Sequence, residues 1–181
     1  MKKCMIACAI LFAMACNNPE AAKESAAAAP ETAVAEKIEY AYLPADHPAD
    51  YWDRGDQKNV ALVLKCLKAF ENGNVEESLA GFGDSIRYSA DGFDAKISKD
   101  SLRTFFKQAW KNLSALQVNM GDFEAVTSKD KKEAYVTLWY KEIMTDKAGK
   151  KDSVACVNDL KIENGKIVLL DEKTRKFPAK K

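Results

Sequence analysis

The chain has 181 residues, with 28 lysines and arginines against 27 aspartates and glutamates and a formal net charge of +1. So even a balance offers no field for a polyanion, which excludes nucleic acid as a partner recognised by charge. Once its low-complexity N-terminal segment is set aside, the length suits one domain with a real core and is too short for two.

Lys2 and Lys3 precede an unbroken apolar or small run over 5–14 that closes on Ala13-Met14-Ala15-Cys16. A membrane span needs about 20 apolar residues, and this run is roughly half that. It reads as a signal peptide over 1–15. The ending resembles the lipobox of bacterial lipoproteins, which implies a lipid on the sulfur of Cys16 and a mature chain starting there. Ala13 stands where that motif usually has leucine. Ala13-Met14-Ala15 also satisfies the rule for ordinary secretory cleavage after Ala15, which would leave a free thiol. Either cut places the domain outside the cytoplasm. A single acyl chain holds only marginally, at about 0.8 kcal/mol per buried methylene. The two or three chains implied by the resemblance make the membrane the first expected partner. Asn17, where some lipoproteins carry an inner-membrane retention aspartate, points to the outer membrane of a cell envelope.

Residues 16–37 are mainly Ala, Glu and Lys with Pro19 and Pro30, offer no apolar face, and read as a flexible tether. Over 38–56, Tyr40, Tyr42, Tyr51 and Trp52 appear among prolines and acids. They predict an N-terminal extension lying against the domain in irregular or extended form, or else a peptide-binding arm.

The domain is expected over 57–178. Asp56 caps a helix running to about Asn72, with Val60, Val63, Leu64, Leu67 and Phe70 at helical spacing and Gly73 as its stop. Asn74 and Glu77 resemble a capping box opening a second, short helix. A strand over 86–89, the Asp91-Gly92 turn and an extended piece over 93–97 lead to a third helix capped by Ser98. Its expected buried stripe is Leu102, Phe105, Phe106, Ala109 and Trp110. After Ser114 the period becomes two, predicting strands over 117–126, 133–145, 153–163 and 166–174, the last pair joined by an Asn164-Gly165 hairpin.

Helices followed by antiparallel strands make an α+β domain. Three runs carry a closer resemblance: Phe70-Glu71-Asn72-Gly73-Asn74-Val75-Glu76-Glu77, Phe82-Gly83-Asp84-Ser85-Ile86, and Leu160-Lys161-Ile162-Glu163-Asn164-Gly165-Lys166-Ile167. In order and spacing they resemble domains like nuclear transport factor 2, which include the SnoaL-like proteins, over about 58–177. The resemblance implies a conical fold of three N-terminal helices packed on a curved antiparallel sheet, often with a pocket inside.

That family includes ketosteroid isomerase, which combines a carboxylate base with a tyrosine and a protonated aspartic acid. The matching positions here read Ala90 for the base, Cys66 for the tyrosine and Asn158 for the acid, so no catalytic residue carries over. Dehydratase and cyclase branches rely on a histidine paired with a carboxylate, and the single histidine here is His47, in the extension. HExxH, CxxC and G-x-S-x-G patterns and phosphate-binding glycine loops are missing, so neither metal nor cofactor is expected.

The sequence therefore points to a recognition pocket. Asn158 and Cys156 share a strand face, Cys66 points inward from the first helix, and Tyr88, Phe106, Trp110 and Trp139 are candidates for the lining. The same aromatics read equally well as plain core. Cys66 and Cys156 either form a disulfide, worth roughly 4 to 5 kcal/mol on the chain-entropy model, or remain buried thiols. The expected function is a non-catalytic envelope module that binds a small apolar ligand or an envelope protein. Two alternatives stand beside it. One is a SnoaL-like enzyme of isomerase, cyclase or dehydratase type with an atypical site built on Asp91, Asp94 or Tyr88. The other is a structural module forming a homodimer through its sheet face. The N-terminal reading is checked by intact mass: the mature protein should begin at Cys16 and carry acyl groups, and Cys16→Ser should lose them and leave the membrane fraction.

Overall fold

In the computed structural model, which describes residues 38–177, three helices and seven strands build the domain, and its folded unit starts at Tyr42. The signal peptide, Cys16 and the tether lie outside the described residues. Strand β1 (Trp52–Arg54) comes first, followed by helix α1 (Gln57–Glu71) and the single turn of α2 (Val75–Leu79). The hairpin of β2 (Phe82–Ala90) and β3 (Phe93–Ser98) leads to helix α3 (Lys99–Lys111). Four long strands complete the chain: β4 (Leu113–Ser128), β5 (Ala134–Asp146), β6 (Lys151–Glu163) and β7 (Lys166–Lys176).

The caps explain where the longer helices begin. The Asp56 carboxylate accepts from the Lys58 N–H, and the Ser98 hydroxyl accepts from the Ser101 N–H, each satisfying a donor that the first helical turn leaves free. The Asn74 side chain makes no such bond, so the capping box expected before α2 does not form. Gly73, at φ +77°, terminates α1, and the ring of Trp110 lies 3.8 Å from where its side chain would start. The Trp110 indole N–H donates to the Phe70 carbonyl at 2.9 Å, beside the Gly73 N–H that the same carbonyl accepts, and so ties α3 to that helix end.

The sheet order is β1-β4-β5-β6-β7-β2-β3. It is mixed, which corrects the expected all-antiparallel sheet: β2 runs parallel to β7, whereas every other pairing is antiparallel. Alternation within strands cannot reveal this, because relative direction depends on how the chain travels from β2 through β3, α3 and β4 to β6 before β7 returns beside it. The extension also contributes a strand. Asp53 pairs with Thr127, and the Trp52 ring meets Tyr135 edge-on at 5.7 Å. Tyr42, by contrast, stays 93% exposed despite the expectation of burial. At the last turn, Asn164 and Gly165 both take positive φ, as a two-residue hairpin requires.

The core lies between the helices and the inner face of the sheet, where Leu79, Ile86, Leu102, Leu138 and Ile167 are each buried to 2% or less. Of the expected α3 stripe only Leu102 is fully buried. Phe105 remains 41% exposed and Ala109 is exposed, so this helix covers the sheet incompletely. At the opposite edge, Gly55 donates to Ala125 O at 2.8 Å, and an added Cβ would meet the Ala125 and Val126 backbone at 2.8 Å. Backbone cannot yield as a flexible side chain does. Gly55→Ala should therefore loosen β1 from β4 and cost about 1–3 kcal/mol, measured by denaturant unfolding.

Candidate functional site: a carboxylate pair in an aromatic cavity

The period of two along β5 turns Val136, Leu138, Tyr140 and Glu142 toward the helices. On β6 the inward set is Cys156, Asn158 and Leu160, and on β7 it is Leu170 and Glu172. The register brings these into one patch: Tyr140 stands opposite Cys156, Leu138 opposite Asn158, and Asn158 opposite Glu172. The inner face is thus hydrocarbon at one end of each strand and polar at the other. Because α3 covers that polar end incompletely, a cavity of about 160 Å³ remains above it.

Both carboxylates line this cavity, as do the Asn158 amide and the Tyr140 side chain. Burial raises the Glu142 carboxyl to about 7, with repulsion from Glu172 adding to the effect. Burial also raises Glu172, which is opposed by a hydrogen bond from Asn158 and reinforced by the charge of Asp91. Asn158 Nδ2 donates to Tyr140 Oη at 3.1 Å, while Asn158 Oδ1, though buried, has no hydrogen-bond partner. Tyr140 is raised far above its usual range and Tyr88 to about 12, both mainly by burial, so both phenols stay protonated. A carboxyl near neutrality beside a second carboxyl and two permanent O–H groups has the composition of a proton-transfer site.

The structure divides the sequence candidates. Asn158, Cys66, Tyr88 and Phe106 line the cavity. Cys156 is buried beside it, next to Tyr140, and its thiol is pushed up to about 12 by burial and by Glu142. Cys66 is also raised by burial; both are free thiols here, and no disulfide links them. Trp110 lies outside the cavity, because its indole is committed to the end of α1. Trp139 faces the other way: it alternates with inward Leu138 and Tyr140, is 37% exposed, and sits on the outer face near Phe123. Asp94 is held at the surface by a bidentate pair with Arg87 at 2.7 and 2.9 Å, and Asp91 lies in the exposed β2–β3 turn. His47 stacks on Tyr51 at 4.5 Å and takes no part in the cavity.

Sequence reasoning missed Glu142, Glu172 and Tyr140. The signal was present: Glu142 continues the inward phase of Leu138 and Tyr140, and Glu172 that of Leu170. An acid in the buried phase of a strand is the anomaly to look for.

Neither a family model nor a curated protein matches the chain. Solved structures do share its fold. AclR of Streptomyces galilaeus, described as a hydroxylase, superposes with a TM-score of 0.57 at 17% identity, over 68% of this chain and 83% of that one. An LEH-like epoxide hydrolase of M. tuberculosis gives 0.54 at 16%, over 66% and 84%. A nuclear transport factor 2-like protein of unknown function from Burkholderia pseudomallei gives 0.54 at 16%, over 65% and 91%. The domain has the nuclear transport factor 2-like, or SnoaL-like, fold.

The carboxylate pair carries a prediction for stability. In the folded protein Glu142 holds its proton up to about 7, whereas the ordinary value is 4.5. Between those values the folded state binds more protons than the unfolded one, so stability is full below 4.5 and is lost as pH rises toward 7. The loss should be on the order of 3 kcal/mol. Glu142→Gln should flatten the decline in unfolding free energy across that window.

Proposed function

We propose that this chain is an exported, lipid-anchored envelope protein whose domain performs proton transfer on a small, largely apolar molecule, with Glu142 and Glu172 as its acid–base pair. The observation that carries the reading is the Glu142 carboxyl, held near 7 inside a cavity that a second carboxyl also lines. A group with that affinity for protons can both accept and return one at neutral pH, which contributes typically 10²–10⁴-fold to a reaction. Tyr140, permanently protonated and held by a hydrogen bond from Asn158, supplies an O–H to a developing oxyanion. The roles of base and donor that a related isomerase gives to other positions would thus be filled from β5, β6 and β7. An epoxide hydrolase and a protein described as a hydroxylase on the same fold are compatible with an enzymatic use of the cavity. Export and anchoring through Cys16 rest on the N-terminal sequence alone.

A second reading, binding without chemistry, is favoured by size. The cavity of about 160 Å³ is smaller than the roughly 300–1,000 Å³ common for ligand pockets. The two separate by deuterium exchange. In heavy water at pH 7, small ketones that bind the domain should incorporate deuterium beside the carbonyl, and Glu142→Gln should slow this by about 100-fold or more. Bound ketones that exchange no faster than in buffer, together with a Glu142 carboxyl titrating near its ordinary 4.5 by carbon NMR, would overturn the enzymatic reading.

A further inference from the structure

The cavity is built from acceptors and lacks a cation. Glu142, Glu172 and Asn158 all line it, and no lysine, arginine or histidine does. The sheet lysines close in sequence point elsewhere: Lys141 is exposed and lies 5.1 Å over the Phe177 ring, Lys161 pairs with Glu133 and Glu163, and Lys173 pairs with Asp159 and Asp171. Asn158 is 5% exposed, and its Oδ1 has no partner among the described residues, whereas its Nδ2 is already committed to Tyr140. A buried acceptor left open costs free energy unless something donates to it. One open acceptor, Asn158 Oδ1, and two carboxyls therefore face one small space.

The walls narrow the choice of donor. Phe70, Phe82 and Phe106 form a contiguous aromatic surface, with Phe70 and Phe82 at 4.8 and 6.1 Å from Phe106. Tyr88 and Phe105 stand 5.7 Å apart in the same lining. Aromatic faces attract a cation and offer an anion nothing. A divalent metal fits poorly, since calcium takes about six to eight oxygen ligands, whereas the cavity offers two carboxyls and one amide oxygen among mainly aromatic and aliphatic side chains. A primary ammonium group carries donors, no acceptor and one positive charge. It thereby matches an open amide oxygen and two carboxyls that line the same cavity. The volume, about 160 Å³, resembles that of a cavity of roughly 150 Å³ known to hold benzene.

We infer that the cavity takes a small primary ammonium ion bearing one apolar ring or short chain, with its N–H groups on Glu142, Glu172 and Asn158 Oδ1. This rests on the cavity being a small-molecule site and names the class of molecule. One carboxylate neutralises the ligand, and the other remains available to move a proton.

The test is a charge series on one framework: benzylammonium, benzyl alcohol and benzoate, titrated by calorimetry into the mature full-length chain in mild detergent at pH 7.5. Benzylammonium should bind about tenfold or more tighter than benzyl alcohol, and benzoate should not bind at millimolar concentration. Glu142→Gln and Glu172→Gln should each weaken the cation by about tenfold and leave the alcohol within about threefold. If either variant fails to fold, the wild-type series decides alone. Alcohol binding as tight as the cation would overturn the inference while leaving the small-molecule site standing. Cation binding indifferent to both substitutions would place it elsewhere and also overturn the inference. If none of the three binds, the inference falls and the small-molecule site with it.

Discussion

The molecule depends on the alternation of the three adjoining strands β5, β6 and β7, interrupted by one register shift in β7 between Ile167 and Leu169. Their hydrogen-bonded ladder leaves each residue only two directions, so the face that buries Val136 and Leu138 must also bury Tyr140 and Glu142. A slip of one residue would expose the core along with the carboxylates. The positions that hold the fold together therefore also hold the acids in place. A rigid strand presents a side chain with less uncertainty than a loop does, which is what proton transfer over short distances requires.

That placement has a cost. Two carboxyls without a basic partner are held where water is scarce, and they respond by keeping protons. The hydrocarbon end of the same face offsets this, with Leu138, Ile167 and Ile86 essentially removed from solvent. The outer face shows the opposite solution. Thr137 donates to Asp159 at 2.6 Å, and Lys173 bridges Asp159 and Asp171, so these two acids share a counter-charge. Glu142 and Glu172 have no counter-charge in the cavity lining among the described residues, and an uncompensated charge in a closed space is a more specific functional mark than an exposed ion pair.

Helix α3 decides whether the inner face is core or cavity. Its apolar residues are numerous enough for a fully buried stripe, yet Leu102 alone is sealed, and Phe105 and Ala109 border open space. Trp110 helps to set the helix where it lies, since its indole is tied to the end of α1 by a hydrogen bond and packs against Gly73. Phe105 meets Phe93 at 5.4 Å and Tyr88 at 5.7 Å, an aromatic cluster whose partly exposed members stand beside the opening.

The sequence by itself determined the helices, through apolar spacing and the Asp56 and Ser98 caps, and the long strands, through their period of two. It also determined the Asn164-Gly165 turn. These are local properties: each depends on neighbours a few residues away and on the conformational preferences of single side chains. Alternation also put Asn158 and Cys156 on one face. Tertiary structure alone decided that β2 joins β7 in parallel, that Trp139 looks outward, and that Glu142 and Glu172 share a cavity with Asn158. Those facts depend on which strand lies beside which and on how far one helix covers the sheet. Glu142 and Glu172 lie on strands separated by β6, and an acid in a strand reads as surface until its neighbours in space exclude water and counter-charge.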